Sequence, residues 1–195
     1  MPGEDQPPQG ERSPLDTWVS VEGALDQGPD WDLAFGSDTL FVGVPADINV
    51  HALGLTETGA FAPSDASGLL TGEASDDRFG AALARVPDLD GDGVDELLIG
   101  APGRDRADTT RQDGAAYLVS GFGQGFTGAH AVADIATFRV TGEDAGGVLG
   151  EVVAGCGDMD GDGGGEFVVA APLDNSGGTL AGSIVMVRSS ELSGL

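Results

Sequence analysis

A nine-residue acidic pattern occurs twice in this chain, and its surroundings recur with it. The stretch from Thr71 to Pro102 aligns without a gap on Thr141 to Pro172, so that Gly80 pairs with Gly150, Asp88 with Asp158 and Glu96 with Glu166, all at an offset of 70 residues. A fixed period of this length identifies an array of supersecondary units, each of which buries its apolar faces against its neighbours. A third copy lies upstream in DWDLAFGSDTLFVGVP, residues 30–45. There a tight turn at Gly36-Ser37-Asp38 replaces the acidic loop, and Gly43 precedes Gly100 by 57 residues rather than 70. This copy keeps the apolar strand and the Gly-X-Pro ending, and it is expected to hold no metal.

Within each copy the hydrophobic pattern reads as strands. A short run such as Gly80 to Arg85 precedes the loop, and a continuous apolar run such as Glu96 to Ala101 follows it, as expected of strands covered on both faces. Third strands are expected at Gly114 to Ser120 and Gly182 to Val187. Fourth strands are expected at Ser67 to Gly72 and Ala136 to Gly142, with Thr17 to Glu22 as a further one. The 34 glycines and the 6% aromatic content suit short strands and tight turns rather than long helices. Four antiparallel strands per repeat describe a blade of a β-propeller. The expected fold is therefore all-β: a polar, proline-rich arm over residues 1–14, then a propeller segment over 15–195, with blades at 28–72, 73–142 and 143–195. The strand at 17–22 is the expected completion of the last blade. Three blades are too few to close a ring, which leaves a partial ring or self-association, two chains making six blades being one arrangement.

The loops carry the chemistry. Asp88, Asp90, Asp92 and Glu96 occupy loop positions one, three, five and nine, with Val94 offering its carbonyl at position seven. Asp158, Asp160, Asp162, Gly164 and Glu166 repeat the arrangement. Calcium takes six to eight oxygen ligands, and a glycine-relieved loop with alternating carboxylates supplies them; magnesium demands tighter octahedral geometry. Without a cation each like-charge pair about 4 Å apart costs roughly 1 kcal/mol in water and more near protein. An EF-hand needs a glutamate at position twelve, whereas those positions are Ile99 and Val169, inside apolar runs. Two calcium sites are expected.

Phe79-Gly80, the acidic loop and Gly100-Ala101-Pro102 together resemble the FG-GAP repeat of integrin alpha-subunit propellers and their bacterial relatives. The second copy departs with Leu149-Gly150 and Ala170-Ala171-Pro172, and the upstream copy with Gly43-Val44-Pro45. The glutamates at position nine stand where the family often has aspartate, bringing a longer arm able to coordinate through both oxygens. The resemblance implies a calcium-stabilised propeller acting in extracellular or cell-surface adhesion or recognition of a protein or glycan, with the metal loops opposite the ligand face. That other face is expected to carry residues 73–78, 104–113, 143–147 and 173–179. Arg104, Arg106 and Arg111 concentrate there, suited either to an acidic or sulfated partner or to pairing with the loop's own acids.

Composition narrows the alternatives. Eight basic residues stand against 33 acidic ones, a formal charge of −25, which repels nucleic acid and anionic membrane surfaces. No apolar stretch is long enough to span a membrane, and the first residues are too polar for an export signal. The single cysteine, Cys156, can form no disulfide within the chain and reads as a small core residue. Both histidines, His51 and His130, fall in expected loops with no motif beside them, and neither a Gly-X-Ser-X-Gly elbow nor a zinc-ligand cluster is present. No catalytic residue is assigned. A binding module is the leading expectation, and a non-catalytic accessory propeller of a larger secreted enzyme is the alternative.

Overall fold

In a computed structural model, residues 19–21, 31–54, 59–106, 111–121 and 126–192 are described. The strands are β1 (Val19–Val21), β2 (Asp32–Phe35), β3 (Thr39–Val44), β4 (Asn49–Gly54), β5 (Gly59–Phe61), β6 (Gly68–Thr71), β7 (Ala82–Val86), β8 (Glu96–Ala101), β9 (Ala115–Val119), β10 (Gly128–Ala131), β11 (Phe138–Thr141), β12 (Val152–Gly157), β13 (Glu166–Ala171) and β14 (Ser183–Val187). One short helix, α1 (Val132–Ile135), separates β10 from β11. The strands form three blade-like sheets with antiparallel meanders β2-β3-β4-β6, edged by β10, then β7-β8-β9-β11, then β12-β13-β14. Among the described residues these sheets do not close into a ring.

The central strands behave as their apolar runs require. Every residue of β3 and of β8 is buried. Alternation along β8 sends Leu97, Ile99 and Ala101 into a core shared with the first sheet, alongside Phe41, Val50, Leu70 and Phe79. Leu98 points the other way, into a core shared with Leu149, Val153, Phe167 and Val169 of the third sheet. One strand thus feeds two cores, the geometry of a blade held between two others.

Glycine sets how closely the sheets approach. A Cβ at Gly43 would lie 2.0 Å from the Gly80 carbonyl oxygen, and one at Gly100 would lie 2.0 Å from that of Gly150. Gly80 and Gly150 themselves have φ of +88° and +92°, a region open to glycine at little cost. The glycine closing one repeat therefore receives the backbone of the glycine opening the next, which is the physical content of the repeated motif.

Three features differ from expectation. Val19–Val21 pairs in parallel with Gly59–Phe61 rather than extending the third sheet, so β14 has no fourth strand among the described residues. Gly128–Ala131, within the connection between the third and fourth strands of the second blade, crosses over to pair in parallel with β6 of the first. His51 and His130 sit on β4 and β10, not in loops. Cys156 is half-buried. It is the extra residue of a bulge, because Gly155 pairs with Phe167 and Gly157 with Glu166, leaving it unopposed on its strand. The arm at 1–14 lies outside the described residues. No helix among the described residues is long and apolar enough to cross a membrane.

Among the described residues nothing covers the outer face of the third sheet. Val152, Ala170 and Ile184 form one cross-strand row, and Ala154, Val168 and Met186 the next. Val152 is 57% exposed and Ile184 73%. The matching rows of the second sheet, Ala82-Gly100-Ala116 and Ala84-Leu98-Leu118, lie against the third.

Candidate metal centre

Both acidic loops are hairpin connections between the first and second strands of a blade, β7 to β8 and β12 to β13. Three internal bonds recur at each copy, and the second loop adds one from the Gly161 N–H to Asp158 Oδ1 at 2.6 Å. Gly93 N–H donates to Asp88 Oδ1 at 3.1 Å, Asp92 N–H to Asp90 Oδ1 at 3.2 Å and Val94 N–H to Asp92 Oδ1 at 2.7 Å. In the second loop Gly163 N–H donates to Asp158 Oδ2 at 3.1 Å, Asp162 N–H to Asp160 Oδ1 at 3.2 Å and Gly164 N–H to Asp162 Oδ1 at 2.9 Å. These short side-chain-to-backbone bonds curl the chain and turn the carboxylates toward a common centre.

Asp158, Asp160, Asp162 and Glu166 each place a carboxylate oxygen within 4.8 Å of the others, and so do Asp88, Asp90 and Asp92. Glu96 is not drawn into the first group. Val94 and Gly164, expected to present carbonyls, occupy the seventh position, and their N–H groups are held by the aspartate at position five.

The two glutamates provide the test of fit. Each is 1% exposed, whereas the aspartates around them are mostly open to solvent. Glu96 Oε2 accepts the Leu89 N–H at 2.6 Å, and Glu166 Oε2 accepts the Met159 N–H. The other oxygen of each, Oε1, is buried with no hydrogen-bond partner. A buried, unsatisfied carboxylate oxygen is costly, and buried charge ordinarily persists only when paired or coordinating a metal. These residues fit a hard cation. One oxygen of each glutamate is engaged by the loop's own backbone, and Oε1 is the one without a partner.

Burial, followed by the negative charge of Asp90, Asp92 and Asp88, outweighs the Leu89 N–H bond and pushes Glu96 up to about 7 from 4.5. The folded chain then holds this proton more tightly than the unfolded chain. In the absence of cation its contribution to stability is fully present below pH 4.5 and is lost as pH rises to about 7, a loss of about 3 kcal/mol. The expected result is that Glu96→Gln, unfolded by denaturant in chelator, lacks this part of the pH dependence. Identical pH slopes in the two proteins would contradict it.

Sequence reasoning missed two neighbours of the loops. Ser189, in the turn after β14, donates its hydroxyl to Asp162 Oδ2 at 2.7 Å and holds that carboxyl below its usual range, assisted by the Gly164 N–H. Arg85 is ion-paired with Asp95 of the first loop. No motif marks Ser189, whose contact depends on the path of the chain after the last strand.

The opposite end gathers the other loops. Glu73 binds both Arg104 and Arg139 at 3.1 Å, and Arg106 pairs at 3.1 Å with the fully buried Asp113. Of the three arginines singled out in this region, Arg104 and Arg106 are thus engaged with the chain's own acids, while Arg111 is exposed. His130 bonds the Thr127 carbonyl and packs on Phe126.

Comparison with known proteins agrees with this architecture. The FG-GAP repeat family model matches residues 79–119, from the phenylalanine-glycine pair through the first acidic loop to the end of β9. Integrin alpha-4 of Xenopus laevis is 33% identical over 114 residues, a span covering 58% of this chain and only 10% of that relative. With Phe79, the acidic loop and Gly100 inside the matched span, residues 79–119 carry an FG-GAP repeat, and the chain is integrin-like over the residues it shares with that relative.

Proposed function

We propose that the chain is a calcium-binding, integrin-like propeller module acting outside the cell. Its two acidic loops each hold one cation, and the end opposite them recognises a protein or glycan. The observation that carries the metal reading is the pair of buried glutamate oxygens, Glu96 Oε1 and Glu166 Oε1, left without partners beside converging aspartates. A bound cation supplies positive charge that turns carboxylate repulsion into attraction. The chain's own residues do the rest. Glu96 and Glu166 tether their loops through backbone N–H groups, the aspartates curl them, and the strands keep the loop ends at fixed separation. Calcium suits this set better than magnesium, because adaptable loops rich in carboxylates match its higher and less regular coordination.

Recognition is assigned to the other end because the acidic loops, once occupied, have their carboxylates turned inward. Arg111 and Arg139 are exposed basic groups at that end. Direct binding measurements test the reading: two calcium ions per wild-type chain are expected, and one after Asp160→Ala, which removes a carboxylate from the second loop alone. A chain that binds no calcium would sink the proposal. Assembly of two copies through the uncovered third sheet is expected to appear as a dimeric mass in solution, and a concentration-independent monomer would argue against it.

A further inference from the structure

We propose that the two acidic loops bind cations cooperatively, the first loop ordering the second. The inference rests on the cation reading above and goes beyond it, to how the sites communicate.

The two loops touch through backbone. The Gly165 N–H donates to the carbonyl of Asp88 at 3.4 Å. A Cβ at Gly165 would lie 2.0 Å from the Pro87 carbonyl oxygen, and one at Gly164 would lie 3.2 Å from that of Leu89. Residues 164–165 of the second loop therefore seat directly on residues 87–89 of the first. At the equivalent positions the first loop carries Val94 and Asp95, because the preceding sheet offers only the tight turn at Gly36 to Asp38. Glycines occupy this pair of positions where one acidic loop rests on another.

The contact involves residues of both sites. Asp88 supplies the first carboxylate of its loop, and its carbonyl is the acceptor for Gly165. It is held at φ +24°, whereas Asp158, its counterpart in the second loop, has no positive φ. Gly165 lies between Gly164, at the seventh position of the second loop, and Glu166, whose buried Oε1 has no partner. A cation that fixes Asp88 fixes the surface on which residues 164–165 rest, so the second loop has less conformational freedom left to lose when its own cation arrives. Linkage makes the effect reciprocal: each occupied loop tightens the other by the same factor.

Calcium titration of the full chain by calorimetry tests this. Asp90→Asn reports the second loop alone and Asp160→Asn the first alone. In the wild type the product of the two stepwise affinities should exceed the product of the single-loop affinities by about fivefold or more. Gly165→Ala, with every carboxylate retained, should still bind two ions but bring the two products together. If the wild-type product equals that of the single-loop variants, the loops are independent, and coupling is refuted while the cation reading stands. If no calcium binds, both fall. Should Gly165→Ala not fold, the comparison of wild type with the two aspartate variants decides the matter alone.

Discussion

Excess calcium is expected to raise the melting temperature of this chain by roughly 10–20 °C over its chelated state. A ligand bound only by the folded form adds about 2.7 kcal/mol at a hundredfold excess over its dissociation constant, so two sites contribute about 5 kcal/mol. For a chain of this size each kcal/mol moves the midpoint by about 2–4 °C. The residues explain why the folded chain should bind so selectively. Unfolding separates Asp158, Asp160, Asp162 and Glu166, whose oxygens lie within 4.8 Å of one another only in the folded loop, and returns the glutamates to water. Thermal unfolding followed by circular dichroism in calcium, in chelator and in magnesium checks the expectation. Equal midpoints in calcium and chelator would refute it, and an equal shift in magnesium would refute the assignment of calcium in particular.

Replacing Phe79 by alanine is expected to destabilise the chain by about 3–5 kcal/mol, the usual cost of emptying a buried aromatic site. Phe79 is fully buried. It packs edge-on against Tyr117, with ring centres 5.8 Å apart, and joins the core shared by the first two sheets. A Cβ at Gly72 would fall 2.5 Å from the Phe79 Cβ, so the preceding strand end is shaped around this side chain. The third repeat carries Leu149 at the same position, also buried. Phe79→Leu should therefore cost under about 1.5 kcal/mol, as hydrophobic exchanges of similar volume do. Denaturant unfolding in saturating calcium separates the two variants. A loss below about 1 kcal/mol for Phe79→Ala would mean that the phenylalanine does not join the blades.

Much of this was legible in the chain because it depends on local order. The period of 70 residues placed β7 and β8 against β12 and β13, and the continuous apolar run of β8 identified a strand covered on both faces, whereas the like run of β13 lies in a sheet with one face open. Spacing within the loops identified the aspartates that converge. What escaped the sequence involved contacts between segments far apart in the chain. The crossing of Gly128–Ala131 to the first sheet, the pairing of Val19–Val21 with Gly59–Phe61 and the contact of Ser189 with Asp162 leave no local signature. The arginine-rich stretch illustrates the same limit. Its composition allowed either a partner or internal pairing, and only the positions of Glu73 and Asp113 show Arg104 and Arg106 already paired.

The acidic loops divide along the same line. Sequence alone determined which residues could meet a cation, since carboxylates at alternate positions with glycines between them curl together by short-range bonds. Tertiary structure decided the state of the glutamates and the meeting of the loops. Glu96 and Glu166 are buried by sheets that only folding assembles, and each spends one oxygen on its own backbone while the other is left without a partner. In the sequence Gly164 is the seventh loop position, expected to offer its carbonyl, and Gly165 has no assigned role. In the folded chain they are the close backbone approach by which one loop rests on the next, since a Cβ at Gly165 would lie 2.0 Å from the Pro87 carbonyl oxygen.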